Sequence, residues 1–367
     1  MRRREWLEAT GIIAAGAALG PSPGRAEIDA ELLVEKLRLN LRHTWTTTMS
    51  SSEFRETVLV RYRSDGIEGL GEGAPIVRYD EDAAGAMAAL DGIRGRVEDA
   101  DPWALEALLS SAFPRLEGQY AARAALDIAL HDWTGQRLGI PLYRLFGLDA
   151  ADAPVTTFSI GIDTPEVTRR KVREAEPFPV LKIKVGLDSD ETTIGTVRKV
   201  TDKPLRVDAN EGWTDKETAV RKIEWLASRG VELVEQPMPA AMLEETRWVR
   251  ERAEVPVFAD EACGRATDIP ALAEAYDGVN IKLDKAGGLR EALRMIHTAR
   301  ACGLDTMLGC MISSSVSTTA AAHLSPLVDY ADLDGNLLIA NDRWTGVAVR
   351  EGQLILPSGP GLGLRPA

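Results

Sequence analysis

Two lysines separated by one residue, Lys182 and Lys184, sit among apolar neighbours in Leu181-Lys182-Ile183-Lys184-Val185-Gly186. Residues two apart on a strand share a face, so both ammonium groups would stand on the same side. Like charge and partial desolvation each disfavour the protonated form, which lets a lysine lose its proton near neutral pH and act as a base. An edge strand with two solvated lysines that discourage aggregation would carry the same pattern. Downstream, three apolar runs each end in a carboxylate: Val207-Asp208-Ala209-Asn210, Leu233-Val234-Glu235-Gln236-Pro237 and Phe258-Ala259-Asp260-Glu261. Converging on one spot, Asp208, Glu235 and Asp260 would repel one another unless something positive lay between them. Oxygen-only ligation suits Mg²⁺, whose remaining positions are open to substrate oxygens. None of the four histidines, His43, His131, His297 and His323, lies beside these acids, which argues against zinc or nonheme iron.

The next run, Val279-Asn280-Ile281-Lys282-Leu283-Asp284-Lys285, brings another lysine to a strand end. Strand parity favours Lys282, placed across from Lys184, with Lys285 as the alternative. Two bases on opposite sides of a carbon beside a metal-bound carboxylate can take a proton from one face and return one to the other. That chemistry is racemisation or epimerisation through an enediolate.

These groups need strands that bring their ends together. From Val155 onward short β-like runs alternate with helical segments: Thr156–Ile160, Leu181–Val185, Leu205–Ala209, Val231–Val234, Val257–Ala259, Gly278–Leu283, Thr306–Leu308 and Asp329–Leu333. Eight such runs predict an α/β fold built on a closed barrel that lacks its last helix, a modified (β/α)7β arrangement. Chemistry then belongs at the C-terminal strand ends. An open doubly wound sheet is the alternative, but no Gly-x-Gly-x-x-Gly follows a first strand. Before the barrel, Leu32 to Leu41 and Thr57 to Tyr62 alternate as strands of a small meander. His43 to Phe54, rich in hydroxyls, reads as a mobile loop. Asp80 to Leu148 turns helical, with Ala125, Ile128, Ala129 and Trp133 at helical spacing, and predicts three helices. The resulting division is 27–150 for the meander and helices, 151–342 for the barrel and 343–367 for a segment that returns to the first unit.

With 367 residues, 45% hydrophobic and 27% charged, the chain can bury a large core. A net charge of −13 argues against nucleic acid, whose phosphates need a basic face. Residues 1–26 read as an export signal: a basic head with Arg3-Arg4-x-Trp6-Leu7, an apolar run from Thr10 to Leu19 and prolines at 21 and 23. The run is too short to span a bilayer. Its arginine pair resembles the twin-arginine signal that exports folded proteins to the periplasm, the alternative being a basic extension on a cytoplasmic protein. Cys263, Cys302 and Cys310 read as free thiols.

Together Lys182-x-Lys184, Asp208, Glu235, Asp260 and Lys282 resemble the enolase superfamily in its muconate-lactonizing-enzyme subgroup, over nearly all of residues 27–367. The resemblance implies an α+β capping domain on the barrel, Lys184 and Lys282 as the acid/base pair tuned by Lys182, and Mg²⁺ on the three acids. It also implies that Asn210 and Glu261 support those ligands. Asp332-Leu333-Asp334 is similar to the element with which the subgroup's dipeptide epimerases hold a substrate α-ammonium, two acids on one face of the last strand. Gly309-Cys310-Met311-Ile312-Ser313-Ser314-Ser315 is similar to their seventh strand end, which puts Cys310, Met311 and Ser313 against substrate. The implied activity is a Mg²⁺-dependent dipeptide epimerase that inverts the C-terminal residue's α-carbon. An N-acylamino-acid racemase, an o-succinylbenzoate synthase and a cycloisomerase are alternatives on the same scaffold, and a noncatalytic periplasmic binding protein is one of another class. Relatives that act on L-Ala-D/L-Glu from peptidoglycan carry a capping-loop arginine near the position of Ser50. Between Thr44 and Ser52 there is none; Arg55 is the alternative cation but reads as the start of the next strand, so a neutral C-terminal side chain is the expectation. A homo-oligomer is expected among the partners, besides the small-molecule substrate.

Overall fold

In the computed structural model, which describes residues 29–367, the chain opens with three antiparallel strands: β1 (Ala30–Thr46), β2 (Ser51–Ser64) and β3 (Ile67–Gly73). The polar stretch expected as a loop from His43 to Phe54 is mostly extended strand, its pairing interrupted between Asn40 and Trp45. Trp45 faces Ser52 and Thr46 faces Ser51, leaving a tight turn closed from Thr47 N to Ser50 O at 3.0 Å. Threonine and tryptophan favour extended backbone, and the hydroxyls bond one another, as Thr46 and Ser51 do at 2.8 Å. The export segment lies outside the described residues.

Helices α1 (Ala83–Asp91), α2 (Arg94–Glu98), α3 (Leu105–Ala112), α4 (Tyr120–Leu138) and α5 (Leu142–Leu145) follow. There are five where the sequence reading gave three, because the helical stretch breaks at Gly92 and again at Gly139. The left-handed φ of Gly139, 71°, stops α4 so that Pro141 can start the next turn. Helix α4 is buried nearly all round and lies directly on β3. A Cβ on Gly69, Gly71 or Gly73 would meet the carbonyl oxygen of Ala129, Ala125 or Ala121 at 2.1, 2.0 or 1.9 Å. Glycine at every second strand position against alanine at every fourth helix position lets the two backbones nearly touch.

The second unit is the barrel. Strands β4 (Phe158–Ile160), β5 (Leu181–Lys184), β6 (Leu205–Asp208), β7 (Val231–Glu235), β8 (Val257–Ala259), β9 (Gly278–Lys282), β10 (Asp305–Gly309) and β11 (Tyr330–Asp332) run parallel in sequence order. Between them lie α6 (Pro165–Glu174), α7 (Asp190–Arg198), α8 (Lys216–Ala227), α9 (Leu243–Arg250), α10 (Ile269–Leu272), α11 (Leu283–Ala286) with α12 (Leu289–Ala301), and α13 (Ser315–Ala322). A parallel bridge from Thr156 to Ala331 joins the ends of the sheet. No regular helix follows β11, so the (β/α)7β reading holds. The strands are buried on both faces, and their inward residues form layers. Leu233, Phe258 and Met307, with Tyr330 against them, plug the bottom, and Glu235 and Asp260 stand two residues beyond Leu233 and Phe258, toward the mouth.

The last strands, β12 (Trp344–Thr345), β13 (Ala348–Arg350), β14 (Gln353–Ile355) and β15 (Arg365–Pro366), form two small hairpin-like pairs. This segment touches both units: Leu362 N donates to Asp132 of α4, and Gln353 bridges to Val155 beside the barrel. The seam between the units is built from buried acids. Glu72 of β3 accepts from Ser314 N, Ser317 N and the Ser314 hydroxyl at the start of α13, and from the Thr57 hydroxyl at 2.7 Å. Asp284 of α11 accepts from Ala74 N at 2.7 Å.

Candidate active site

Strand register brings the acids together: Lys184 pairs with Asp208 across β5 and β6, and Asp208 with Glu235 across β6 and β7. Asp260 follows one residue after β8. One carboxylate oxygen from each of Asp208, Glu235 and Asp260 lies within 4.8 Å of the others, all three side chains buried. Lys184 Nζ stands 2.5 Å from Asp208 Oδ2 on one flank, and Lys282 Nζ 2.6 Å from Asp260 Oδ2 on the other. Lys182, one layer deeper, touches Asp208, Glu235 and Asp332 at 3.3, 2.7 and 2.7 Å. Of the two candidates near residue 283, both reach Asp260, Lys282 at Oδ2 and Lys285 at Oδ1, at 2.6 and 2.5 Å. Lys285, in α11, has its ammonium committed to the backbone carbonyls of Asp260, Cys263 and Asn280.

The charges do not behave as like-charge reasoning predicts. Burial by itself would pull Lys182 down, but Asp332, Glu235 and Asp208 outweigh it and hold its pKa well above the ordinary lysine value. Lys282 is likewise raised, burial being overcome by Asp260 and Glu235. Like-charge proximity therefore does not deprotonate Lys182, because more carboxylates than ammonium groups face the same small space. Among the acids burial is the largest influence. Lys184 and Lys182 overcome it to keep Asp208 low, whereas burial and Asp208 together drive Glu235 well up. Glu235 Oε2 and Asp260 Oδ1 are buried with no well-directed hydrogen bond. Three buried carboxylates gathered on one spot, with no nitrogen or sulfur donor among them, fit a hard divalent cation such as Mg²⁺.

Neighbouring groups fix these acids. Asn210 N donates to Asp208 Oδ1 at 2.9 Å, and Asn210 Nδ2 donates to Glu261 Oε1 at 3.0 Å. Burial, with Asp260 and Asp208 adding, raises Glu261 to about 7. Gln236 was not singled out by the sequence. Its Oε1 accepts from Asp260 N and Ala262 N at 2.8 and 3.1 Å, tying the end of β7 to the acid after β8. Asn210, Glu211 and Gln236 all have positive φ, at 41°, 63° and 36°, on residues for which that conformation is strained. Strain gathered just past two adjacent strand ends is a backbone signal that single-sequence patterning does not carry.

A cavity of about 340 Å³ opens above the acids, within the ~300–1,000 Å³ range of small-molecule sites. Lys184, Asn210, Asp260, Glu261, Lys282, Cys310 and Met311 line its barrel side, and Trp45, Met49, Ser50, Arg55, Ile76 and Tyr79 its capping side. Ser313 does not line it. Its hydroxyl is buried against Thr318 Oγ1 at 3.3 Å, within the first turn of α13, which corrects its reading as a substrate contact. Asp332 is also corrected. As an inward residue of β11 it lies below the mouth, with its carboxylate on Lys182, the Thr157 hydroxyl at 2.5 Å and the Ser159 hydroxyl at 3.2 Å. Asp334, past the strand end, lies behind the cavity wall of Cys310 and Met311 rather than in its lining; it accepts from Ser159 N at 2.5 Å and has no cationic partner among the described residues. Burial and Asp332 raise it to about 7.

A two-domain chain with acids and opposed lysines at the strand ends of a (β/α)7β barrel defines a class of proton-transfer enzyme. The chain belongs to the mandelate racemase and muconate lactonizing enzyme family of the enolase superfamily: residues 30–147 match that family's N-terminal domain and residues 166–367 the enolase C-terminal domain-like model. It is 44% identical over 327 residues to the L-Ala-D/L-Glu epimerase of Bacteroides thetaiotaomicron, covering 89% of this chain and 85% of that one. To the L-Ala-D/L-amino acid epimerase of Pedosphaera parvula it is 42% identical, over 89% of this chain and 96% of the other. Among solved structures, the dipeptide epimerase of Enterococcus faecalis with Mg and L-Leu-L-Tyr superposes with a TM-score of 0.86 at 32% identity, covering 92% and 99% of the two chains.

Proposed function

We infer that the protein is a Mg²⁺-dependent dipeptide epimerase, an isomerase that inverts an α-carbon next to a carboxylate. The observation that carries this reading is the pair of lysines, Lys184 and Lys282, standing on opposite flanks of the buried triad Asp208, Glu235 and Asp260 at the floor of one cavity. The triad would hold Mg²⁺, which when bound offsets negative charge developing on the substrate carboxylate. One lysine removes the α-proton of the C-terminal residue and the other delivers a proton to the opposite face. Lys182 supplies fixed positive charge beneath them. Asp334 is the group proposed to receive the substrate's α-ammonium, since it is buried and lacks a cation of its own; Cys310 and Met311 form the wall beside it. The capping strands and the 3₁₀ turn at Val77–Tyr79 line the cavity's outer side.

The test incubates the purified protein with a dipeptide library and Mg²⁺ in D₂O and reads deuterium gain by mass spectrometry. Epimerisation of free-amine dipeptides, lost on chelation of the metal, is expected. Lys184→Ala and Lys282→Ala should each abolish epimerisation, by ~10³-fold or more, while each retains exchange from one stereoisomer only. Full turnover by both variants would refute the assignment. Export to the periplasm through Arg3 and Arg4 is part of the proposal, supported by that basic and apolar segment and by three cysteines that form no disulfide. Action on peptidoglycan-derived peptides would follow from that location. Fractionation of cells carrying the chain, with and without Arg3→Lys and Arg4→Lys, checks it.

A further inference from the structure

The strand end that carries Lys184 is held from behind by a carboxylate with no part in the proton transfers. Asp190, the first residue of α7, is buried, does not line the cavity and collects four donors from three places. Its Oδ1 accepts from Gly186 N and Leu187 N at 2.7 and 2.9 Å, in the loop that leaves Lys184. Its Oδ2 accepts from Trp213 Nε1 at 3.0 Å, in the loop that leaves Asp208, and from Lys222 Nζ of α8 at 2.7 Å. Each oxygen thus binds a different loop, and the one side chain ties them together.

Those loops are in backbone contact. Val185 N donates to Asp208 O at 2.9 Å. Gly186 has φ 105°, and a Cβ on it would meet the carbonyl oxygen of Ala209 at 2.3 Å; one on Gly212 would meet that of Gly186 at 2.4 Å. With no side chain between the loops, what grips them sets their spacing. Lys184 and Asp208, whose side chains meet at 2.5 Å, are the last residues of the two strands that feed them. Lys282 is carried differently: β9 passes directly into α11 at Leu283, and the four donors to Asp190 all come from the β5 and β6 side of the barrel.

We propose that Asp190 is a positioning residue for one half of the reaction: by clamping the loop after β5 to the loop after β6 it holds Lys184 at the substrate face that this lysine serves, and Lys282 does not depend on it. This rests on the dipeptide epimerase reading, in which the two lysines serve opposite faces of one α-carbon. A reacting group displaced by ~1 Å can lose ~10²-fold in rate, so a loosened clamp is felt by the lysine it holds.

The experiment measures α-proton exchange in D₂O, with Mg²⁺, separately for the two C-terminal epimers of the library dipeptide that wild type exchanges fastest. Lys282→Ala, which keeps Lys184, identifies the epimer that Lys184 deprotonates. Asp190→Asn puts an amide donor where the carboxylate faced donors. On the Lys184 epimer it should lower kcat for exchange ~10- to 100-fold with KM nearly constant, and on the other epimer exchange should stay within ~2-fold of wild type. Trp213→Phe frees one loop from the clamp and leaves Asp190 on the other. It should show the same asymmetry at smaller size, and it decides the matter if Asp190→Asn does not fold. Equal losses on both epimers would show a merely structural role and overturn the inference, as would unchanged exchange on both. Wild type that exchanges the α-proton of no dipeptide refutes the functional reading, and this inference with it.

Discussion

Asp334 illustrates how much one carboxylate's surroundings decide. Two positions from Asp332 in sequence, it differs in that Lys182 pairs with Asp332, whereas among the described residues no cation pairs with Asp334. With Asp334 raised to about 7, the acid becomes neutral as pH falls through that value, and a neutral acid holds an ammonium poorly. KM for a free-amine dipeptide should therefore rise as pH drops below about 7. Asp334→Asn, which keeps an acceptor for Ser159 N, should show a raised KM with that pH dependence removed. An N-acetylated dipeptide serves as comparison. If Asp334→Asn keeps the wild-type profile on the free amine, the ammonium sits elsewhere.

Between elements, close approach of backbones sets the geometry. The glycines of β3 let α4 lie against the meander, and α4 carries Asp127, whose carboxylate accepts from Leu289 N at the start of α12 at 2.6 Å. The helix thus fastens the capping sheet to the barrel. Gly71→Ala would push a methyl group into the Ala125 carbonyl and should cost ~1–3 kcal/mol, as overpacking does, seen as a lower urea midpoint at constant slope. Gly95→Ala, in α2 with no atom within 4 Å of the added Cβ, should be neutral or stabilise by ~0.5–1 kcal/mol. Similar losses for both would show that the close approach is not what holds α4.

At the scale of the molecule, the seam stores carboxylates away from water. Burial, with Glu72 and Glu81 adding, raises Asp284 to about 7. An acid whose folded pKa exceeds its unfolded value of ~3.9 binds its proton more tightly in the fold, so its contribution favours the fold at low pH. That contribution is lost as pH rises toward about 7 and is flat above. Asp284→Asn keeps an acceptor for Ala74 N and removes this slope. Its Tm relative to wild type should increase from pH 5 to pH 8, and a difference identical at both values would contradict the assignment.

The order of strands and the residues at their ends were legible without coordinates, because a period of two and apolar runs ending in charge are local properties. Each of the eight strands overlaps the run predicted for it, the ends differing by at most two residues. Local pattern also carried Lys184, Lys282 and the triad, since each follows directly from its place in its own strand. It could not carry what depends on another element's position. Whether Asp332 faced substrate or Lys182, and whether Ser313 pointed into the cavity or into α13, depended on strands far apart in sequence coming within a few ångströms. The sign of the shift at Lys182 was of the same kind. The neighbouring lysine was visible in the sequence, but the three carboxylates that outweigh it come from β6, β7 and β11, and the balance of charge in a buried space is a property of the assembled barrel.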